Sequence, residues 1–263
     1  IVFMYLRDLP ILRIVPQRMF YGMNSFVFLA IPFFILAGEI MSESKITDRL
    51  ITFADALVGH VRGGLAQVNV IASMFFSGIS GAALSDVAGL GSVLIPAMEK
   101  NGYEKKFAAA ITATSAIQGP IIPPSIIIVV YAAIMGTSVG ALFAAGLVPG
   151  VLIGLTDCLI VAVKAKKRGY PKSSDRFSLR VAVRAFFAAI PALIMPLIIL
   201  GGIIGGVFTP TEAGAVAVFY GLGMAFLYFR TMNLKMLWEL IGRTVRKSAS
   251  LFIIIAFANV FSY

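Results

Sequence analysis

Charged residues are scarce in this chain of 263 residues, where Asp, Glu, Lys and Arg together make up 13%. A soluble domain contains about 25% charged residues, so the composition excludes an ordinary soluble protein. Hydrophobic residues account for 59% of the chain, and its mean hydropathy is +0.95. This composition predicts an all-α polytopic membrane protein, whose helices cross the lipid bilayer several times.

Cysteine and histidine are almost absent, since Cys158 and His60 are the only examples. A single cysteine excludes an internal disulfide, and no group of His, Cys, Asp or Glu residues has the spacing of a zinc site. The net charge is +10, but the basic residues concentrate between the apolar stretches. The positive-inside bias and attraction to anionic lipid explain that distribution, so we expect no nucleic-acid partner.

Apolar, amphipathic and basic stretches divide the chain into three regions. Residues 1–61 contain an amino-terminal interfacial segment, a scaffold helix and an arm helix, and residues 62–136 form a unit of the kind that moves in transporters. Residues 137–263 supply further scaffold helices. The expected elements are a scaffold helix at 26–41, an arm helix at 46–61, a re-entrant hairpin at 64–98, a broken helix at 107–135, a basic cytoplasmic loop at 164–180 and a second amphipathic arm at 232–247. Both arms are amphipathic, which is typical of helices at a membrane surface.

Two short apolar segments, Leu65–Phe76 and Leu84–Met98, are joined by a turn rich in glycine and serine at Ser77–Ala83. At ~1.5 Å per residue, each segment is too short to cross a hydrocarbon core of ~30 Å. The outer flanks of both segments are basic, which places them on the same, cytoplasmic side. We therefore predict a re-entrant hairpin whose tip lies near the middle of the membrane. The alternative is one long kinked helix followed by a core helix.

The next apolar stretch is interrupted at Gln118–Ser125, QGPIIPPS, where one glycine and three prolines interrupt helix formation. Each half has about a dozen residues and covers only ~18 Å of the bilayer. The break leaves backbone groups without helical partners, which is tolerated only where protein or a water-filled site covers them. In secondary transporters, such broken helices bind the substrate and the coupling ion.

The hairpin turn and the break together offer ligands for an ion. Ser77 and Ser80 supply hydroxyls, and the carbonyls ahead of the prolines supply further oxygens, a set that suits a weakly held monovalent cation. The helix starts at Ala82 and Ser125 direct positive dipole ends at the same region, which favours an anionic group such as a carboxylate. The alternative is that the small residues only allow close helix packing.

Asp86 follows the turn inside apolar sequence, and an intramembrane carboxylate is costly and usually functional. It could equally cap the second limb of the hairpin, or do both. Gly78–Gly81 also matches the GxSG motif of intramembrane serine hydrolases, in which Ser80 would be the nucleophile. That chemistry needs a nearby base, and His60 lies a hairpin limb away near a basic loop.

Several motifs along the chain resemble those of the large membrane subunit (M, DctM-like) of the tripartite ATP-independent periplasmic (TRAP) transporters. The similar segments are Leu29–Glu39 (LAIPFFILAGE), Ile46–Leu50 (ITDRL), Val58–Val70 (VGHVRGGLAQVNV), Met74–Ala88 (MFFSGISGAALSDVA), Gly119–Ser125 (GPIIPPS) and Phe208–Ala217 (FTPTEAGAVA). The chain departs from the family at the tip, where Gly81–Asp86 reads GAALSD rather than a sequence closer to GSAVAD. Ala82 therefore lacks the hydroxyl that the family has there, although its carbonyl is kept.

The resemblance implies one half of an inverted-repeat, elevator-type transporter of the bacterial inner membrane, and not an enzyme. In this family Na⁺ drives the uptake of organic acids, such as C4-dicarboxylates or sialic acid, that a periplasmic binding protein delivers. A small membrane (Q-type) subunit accompanies the large one. Residues 1–263 correspond to the first repeat with connecting helices, and the second repeat is expected beyond them. The main alternative is another inverted-repeat, ion-coupled anion symporter.

By matching position, the resemblance also implies which residues bind the ion and the substrate. The expected sodium ligands are Ser77, Gly78, Ser80, Gly81, Ser115, Gly119 and Pro120. The expected substrate contacts are Ser80, Ala82, Pro123, Pro124 and Ser125. No metal other than sodium is expected.

Overall fold

Helices make up the regular structure of this protein, and the only β-type pairing in the described residues is an isolated bridge between Arg62 and Lys172. The computed structural model describes residues 11–44, 46–172 and 177–261. Its α-helices are α1 (Ile11–Met23), α2 (Ala30–Glu43), α3 (Ile46–Val58), α4 (Gly64–Ser80), α5 (Ala83–Lys100), α6 (Lys105–Ser115), α7 (Ile126–Met135), α8 (Val139–Lys167), α9 (Leu179–Ile204), α10 (Pro210–Gly223) and α11 (Leu234–Phe261). Short 3₁₀ turns at Phe26–Leu29 and Ala116–Gln118 precede α2 and follow α6, and a π-helical turn at Met224–Tyr228 extends α10.

Five helical segments in the described part of the chain are long and apolar enough to cross a membrane. They are Phe26–Glu43, Val139–Lys167, Leu179–Ile204, Pro210–Tyr228 and Leu234–Phe261. Large apolar side chains cover the outside of these segments, and Leu159 and Phe219 are 69% and 75% exposed. Such a surface suits lipid rather than water. The prediction of an all-α polytopic membrane protein is confirmed.

The helices pack in two groups, and the hairpin turn and the break belong to the second group. In the first group, α2 packs against α10 and α11, and α1 packs against α11. In the second, α4 packs against α5, α6 and α8. The arm helix α3 joins the groups, because its apolar face, with Ile46, Leu50 and Ala54 buried, lies against α4 and α9. The apolar face of this arm is thus covered by protein.

Local chemistry explains where several helices begin and end. Thr209 forms a capping box with Glu212 and Pro210 occupies the first turn, as expected for the start of α10. The predicted second arm at 232–247 is not a separate element. It is the first part of α11, which continues through Gly242 and runs unbroken to Phe261, because no glycine or proline follows Lys247 where the sequence changes from basic to apolar.

Some predicted boundaries lie partly outside the described residues. These are the first ten residues of the amino-terminal segment and residues 173–176 of the loop at 164–180. The arm helix at 46–61 ends at Val58, and the broken helix begins at Lys105, two residues before the predicted start.

Candidate functional site

The hairpin turn is shorter than the sequence predicts. α4 continues through Ser77–Ser80, and the chain reverses at Gly81 and Ala82 alone. Gly81 has a φ of +61°, a conformation that favours glycine, and its amide donates to the carbonyl of Ser77 at 3.1 Å. α5 then packs beside α4, so the two segments form a hairpin and the alternative of one long kinked helix is wrong.

Asp86 joins the two limbs of this hairpin. Its side chain is fully buried, and its carboxylate accepts hydrogen bonds from the hydroxyls of Ser77, at 3.0 Å, and Ser80. The capping role considered for this residue is not observed, because no side-chain hydrogen bond caps the start of α5; the carboxylate links the two limbs instead. Asp86 nevertheless lies in the first turn of α5, where the helix dipole favours a negative charge.

The break occurs where the prolines predict it. After the 3₁₀ turn at Ala116–Gln118, the chain is not helical until Ile126, where α7 begins. The carbonyl of Gln118 accepts the amides of Ile121 and Ile122, at 3.0 and 2.7 Å. Ser125 caps α7 by accepting the amide of Ile128, and its hydroxyl donates to the carbonyl of Pro120 at 2.5 Å. The break is therefore a hydrogen-bonded loop with a fixed shape.

The turn and the break lie against each other. A methyl group placed on Gly81 would come within 2.5 Å of the carbonyl oxygen of Pro124. One placed on Gly119 would lie 3.1 Å from Oδ2 of Asp86, and one on Gly78 would lie 3.6 Å from the carbonyl oxygen of Pro123. Backbone meets backbone at these glycines, so the main chain of the break faces the serines and the carboxylate of the hairpin.

Most of the predicted sodium ligands converge at this contact, but two have other partners. Ser77, Gly78, Ser80, Gly81 and Gly119 lie at the interface between the turn and the break. The carbonyl of Pro120 accepts the hydroxyl of Ser125, which leaves one of its lone pairs free. The hydroxyl of Ser115 bonds instead to Ser73, at 3.1 Å, and to Asn69, at 3.3 Å.

Ser115 belongs to a buried polar network that the sequence reasoning missed. Asn69 and Ser73 occupy successive turns of α4 below Ser77, and Asn69 donates to the hydroxyl of Thr112 on α6 at 2.7 Å. The signal was the four-residue spacing of Asn69, Ser73 and Ser77 within an apolar helix, which places them on one face. The network ties α4 to the first half of the broken helix.

A cavity of about 590 Å³ opens beside the hairpin turn. Ser80, Ala82 and Ser85 border it on the hairpin side, whereas the predicted contacts Pro123, Pro124 and Ser125 are not among its lining residues. The opposite wall carries four charged side chains of α2 and α11, namely Glu39, Glu43, Arg243 and Lys247. Arg243 and Glu43 pair at 2.8 Å, and Lys247 pairs with Glu39. The sequence placed the two basic residues at a membrane surface and gave no reason to bring them to this cavity.

Comparison with known proteins identifies the family. The profile of the tripartite ATP-independent periplasmic transporter, DctM component, matches residues 1–263. This chain belongs to the DctM family. It is 39% identical over its whole length to the sialic acid TRAP transporter large permease protein SiaM of Vibrio cholerae. It is 41% identical over 94% of its length to the C4-dicarboxylate TRAP transporter large permease protein DctM of Pseudomonas aeruginosa.

A third relative of this DctM family chain is the 2,3-diketo-L-gulonate TRAP transporter large permease protein YiaN of Escherichia coli, 37% identical over 98% of the chain. The chain spans 61%, 57% and 60% of the lengths of SiaM, DctM and YiaN, respectively. DctM family permeases are proteins of the bacterial inner membrane, and so is this chain.

Membership of the DctM family also argues against the alternative that this chain is an intramembrane serine hydrolase. The relatives are transporter permeases and not enzymes. In the structure, the Ser80 hydroxyl bonds to Asp86, whereas the ring of His60 packs 5.3 Å from that of Phe177.

Proposed function

We propose that this chain forms the first half of a sodium-coupled transport site for organic acids in a TRAP large permease. The contact between the hairpin turn and the break carries the proposal, because it brings Asp86, two hydroxyls and unwound backbone together inside a membrane protein. The re-entrant course of the hairpin, with its turn near the bilayer centre, belongs to the same proposal.

Charge balance favours a cation at this contact. Asp86 is fully buried, and among the described residues no basic side chain pairs with it. When ionised, a buried carboxylate with only hydroxyl partners carries an uncompensated negative charge, which is expensive away from water unless a cation neutralises it. A single carboxylate with neutral oxygens suits Na⁺, since a divalent ion is normally bound by more charge. Because Gly81 and Gly119 have no side chain, the backbone of the break comes close enough to the hairpin for its carbonyls to bind the same cation.

The acid would bind in the cavity beside the turn. The amino-terminal end of α5 borders this cavity at Ala82 and Ser85, and no side chain caps its amides. α7, in contrast, is capped by Ser125, so its dipole end is already satisfied. A carboxylate at the start of α5 would bind free amides beside the bound cation. Sialic acid, C4-dicarboxylates and 2,3-diketo-L-gulonate, the compounds after which the relatives are named, all carry such a group.

The complete transporter requires further parts. We propose that a small Q-type membrane subunit flanks the scaffold helices, that a periplasmic binding protein delivers the acid, and that a second repeat completes the site. In the proposed elevator motion, the hairpin and the broken helix move together against the group of α1, α2, α10 and α11. The packing of α4 against both α5 and α6 is consistent with one moving unit.

The test uses the complete permease and its small subunit in proteoliposomes, with the binding protein outside. Uptake of labelled sialic acid and of labelled succinate is measured with and without an inward Na⁺ gradient. We expect Na⁺-dependent uptake of at least one acid, and a raised half-saturating Na⁺ concentration in Ser77→Ala and Ser80→Ala. Ser92→Ala is the matched control, because Ser92 lies on the same hairpin with its hydroxyl bonded to the carbonyl of Gly89. Uptake that does not depend on Na⁺ would contradict the proposal. So would the same half-saturating Na⁺ concentration in all three variants.

A further inference from the structure

The break has a second face, which looks away from the hairpin and towards α8. Glycines on α8 allow the close approach there. A methyl group on Gly150 would lie 2.4 Å from the Ile122 side chain, and one on Gly154 would lie 2.9 Å from Oε1 of Gln118. The side chain of Gln118 therefore rests on α8 beside Gly154, behind the ion-binding face of the break.

Three buried polar atoms on two side chains at this second face lack hydrogen bonds. Gln118 is fully buried, and neither its Oε1 nor its Nε2 has a partner within the described structure. Asp157, 9% exposed on α8, has an unpartnered Oδ2. Leaving such groups buried and unsatisfied costs about 1–3 kcal/mol each. The same interface does satisfy Gln67, whose Nε2 donates to the carbonyl of Cys158 at 2.8 Å.

Helix geometry directs these two side chains towards each other. Gly154 and Asp157 are three residues apart and belong to the buried face of α8. Side chains on a helix lean towards its amino terminus, so the carboxyl of Asp157 covers the turn that contains Gly154. Oε1 of Gln118 and the sulfur of Met74 both lie at that turn. Helix geometry therefore places the carboxyl on the side of α8 where the carboxamide lies, although no hydrogen bond joins the two groups in the structure.

No basic side chain pairs with Asp157 among the described ion pairs. α4, packed against α8, carries no charged residue between Gly64 and Ser80. Three other helices packed against α8 carry charged or titratable groups, namely Lys105 and Lys106 on α6, Tyr131 on α7, and Arg180 and Arg184 on α9. On α8 itself, the nearest such groups are Cys158 and Lys164. The lysines of α6 begin that helix, roughly 18 Å along the chain from Gln118 at ~1.5 Å per residue. Both arginines of α9 are exposed.

We propose that Asp157 is a proton-binding site that shares its proton with Gln118. A neutral carboxyl offers one donor and one acceptor, and a carboxamide offers the same pair in reverse, so the two groups can bond reciprocally. An ionised Asp157 would be an unpaired charge inside the membrane. A hard metal ion takes about six oxygen ligands, more than one carboxyl and one amide supply. The proton comes from water, and no covalent bond other than O–H changes.

This site would act on the ion-binding face through the backbone. The carbonyl of Gln118 holds the amides of Ile121 and Ile122, which shape the loop that meets the hairpin. Fixing the Gln118 side chain to α8 fixes the start of that loop. Losing the proton would remove the bond that the carboxyl donates to Oε1 of Gln118 and would leave that oxygen facing a negative charge, which weakens the attachment of the break to α8.

Infrared spectroscopy of the purified complete permease with its small subunit tests the protonation directly, without any transport assay. We expect the wild type at neutral pH to show the carbonyl-stretch band of a protonated carboxyl, which Asp157→Asn removes and Gln118→Leu shifts. Asp86→Asn is the control for the other buried carboxyl and should leave this band in place. If Asp157→Asn leaves the band unchanged, Asp157 is ionised and the proposal is overturned. If Asp157→Asn does not fold, an unshifted band in Gln118→Leu overturns it equally.

Thermal unfolding against pH gives a second readout. Deprotonation leaves an unpaired charge in the folded state, so the melting temperature of the wild type should fall further towards alkaline pH than that of Asp157→Asn. Gln67→Leu, which removes a satisfied carboxamide from the same interface, should lower the melting temperature equally at every pH. Identical pH profiles for the wild type and Asp157→Asn would contradict the shared proton.

Discussion

Gly81→Ala tests whether the contact between the hairpin turn and the break is used for ion binding. The substitution adds one methyl group at the point where the chain reverses. Gly81 has a φ of +61°, and the added carbon would lie 2.5 Å from the carbonyl oxygen of Pro124. The neighbouring atom is backbone and not a flexible side chain. Either the turn or the break must therefore move.

The chain supplies a matched control for this change. Gly136, the residue after α7, has a φ of +64°, and a methyl group there would meet nothing within 4 Å. Alanine in the left-handed conformation costs about 1–2 kcal/mol at either position. Overpacking adds about 1–3 kcal/mol at Gly81 alone. Gly81→Ala should thus lower the free energy of unfolding by about 1–3 kcal/mol more than Gly136→Ala does.

The contact also predicts an effect on ion binding. If the extra cost separates the turn from the break, affinity for Na⁺ should fall by roughly 5- to 150-fold, the equivalent of about 1–3 kcal/mol. The half-saturating Na⁺ concentration for uptake by the complete permease measures this change, beside thermal unfolding. Gly136→Ala should leave that concentration near the wild-type value. Equal Na⁺ dependence in the two variants would refute the reasoning, because of these two glycines only Gly81 contacts the break.

Three further substitutions probe separate interactions. Asp86→Ala leaves the hairpin hydroxyls without their acceptor, so we expect unfolding to become easier by about 1–3 kcal/mol and Na⁺-dependent uptake to be lost; denaturant titration and uptake assays measure the two effects. Thr209→Ala removes the capping box of α10 and should cost about 1 kcal/mol in thermal unfolding, with the Na⁺ dependence unchanged. Arg243→Ala should cost only about 0–1 kcal/mol, because its pair with Glu43 is partly exposed, yet it should change the half-saturating acid concentration by altering the wall of the cavity.

Local signals located the break better than the turn. The break at Gln118–Ser125 was predicted within a residue or two, because one glycine and three prolines fall within six residues there, whereas a single proline such as Pro149 is tolerated inside a helix. The turn was predicted as Ser77–Ala83, but helix α4 absorbs its first four residues. Serine and glycine weaken a helix only slightly, and packing against neighbouring segments outweighs that preference. Only Gly81, with its left-handed φ, had to leave the helix.

Pairings between residues far apart in the chain could not be predicted from the sequence. The pair of Arg243 and Glu43 joins residues 200 positions apart, and the four-residue spacing of basic residues on α11 suggested only an amphipathic surface. The hydrogen bonds of Asp86 to Ser77 and Ser80 could have been predicted, since those residues flank a two-residue turn. Once two limbs pack side by side, residues at similar distances from the turn must meet. Without the exact position of the turn, the sequence alone did not pair the two serines with the carboxylate.

The break is the element on which both proposed sites depend, and its two faces differ for a physical reason. Towards the hairpin, glycines bring backbone against backbone, so the available ligands are carbonyls, hydroxyls and one carboxylate, a set that suits a metal cation. Towards α8, glycines make room for a side chain, so the available groups are one carboxamide and one carboxyl, which suit a proton. Since the same loop connects Gln118 to Pro124, a change in either occupant alters the geometry offered to the other. The half-saturating Na⁺ concentration should therefore depend less on pH in Asp157→Asn than in the wild type, and an unchanged pH dependence would show that the two faces act independently.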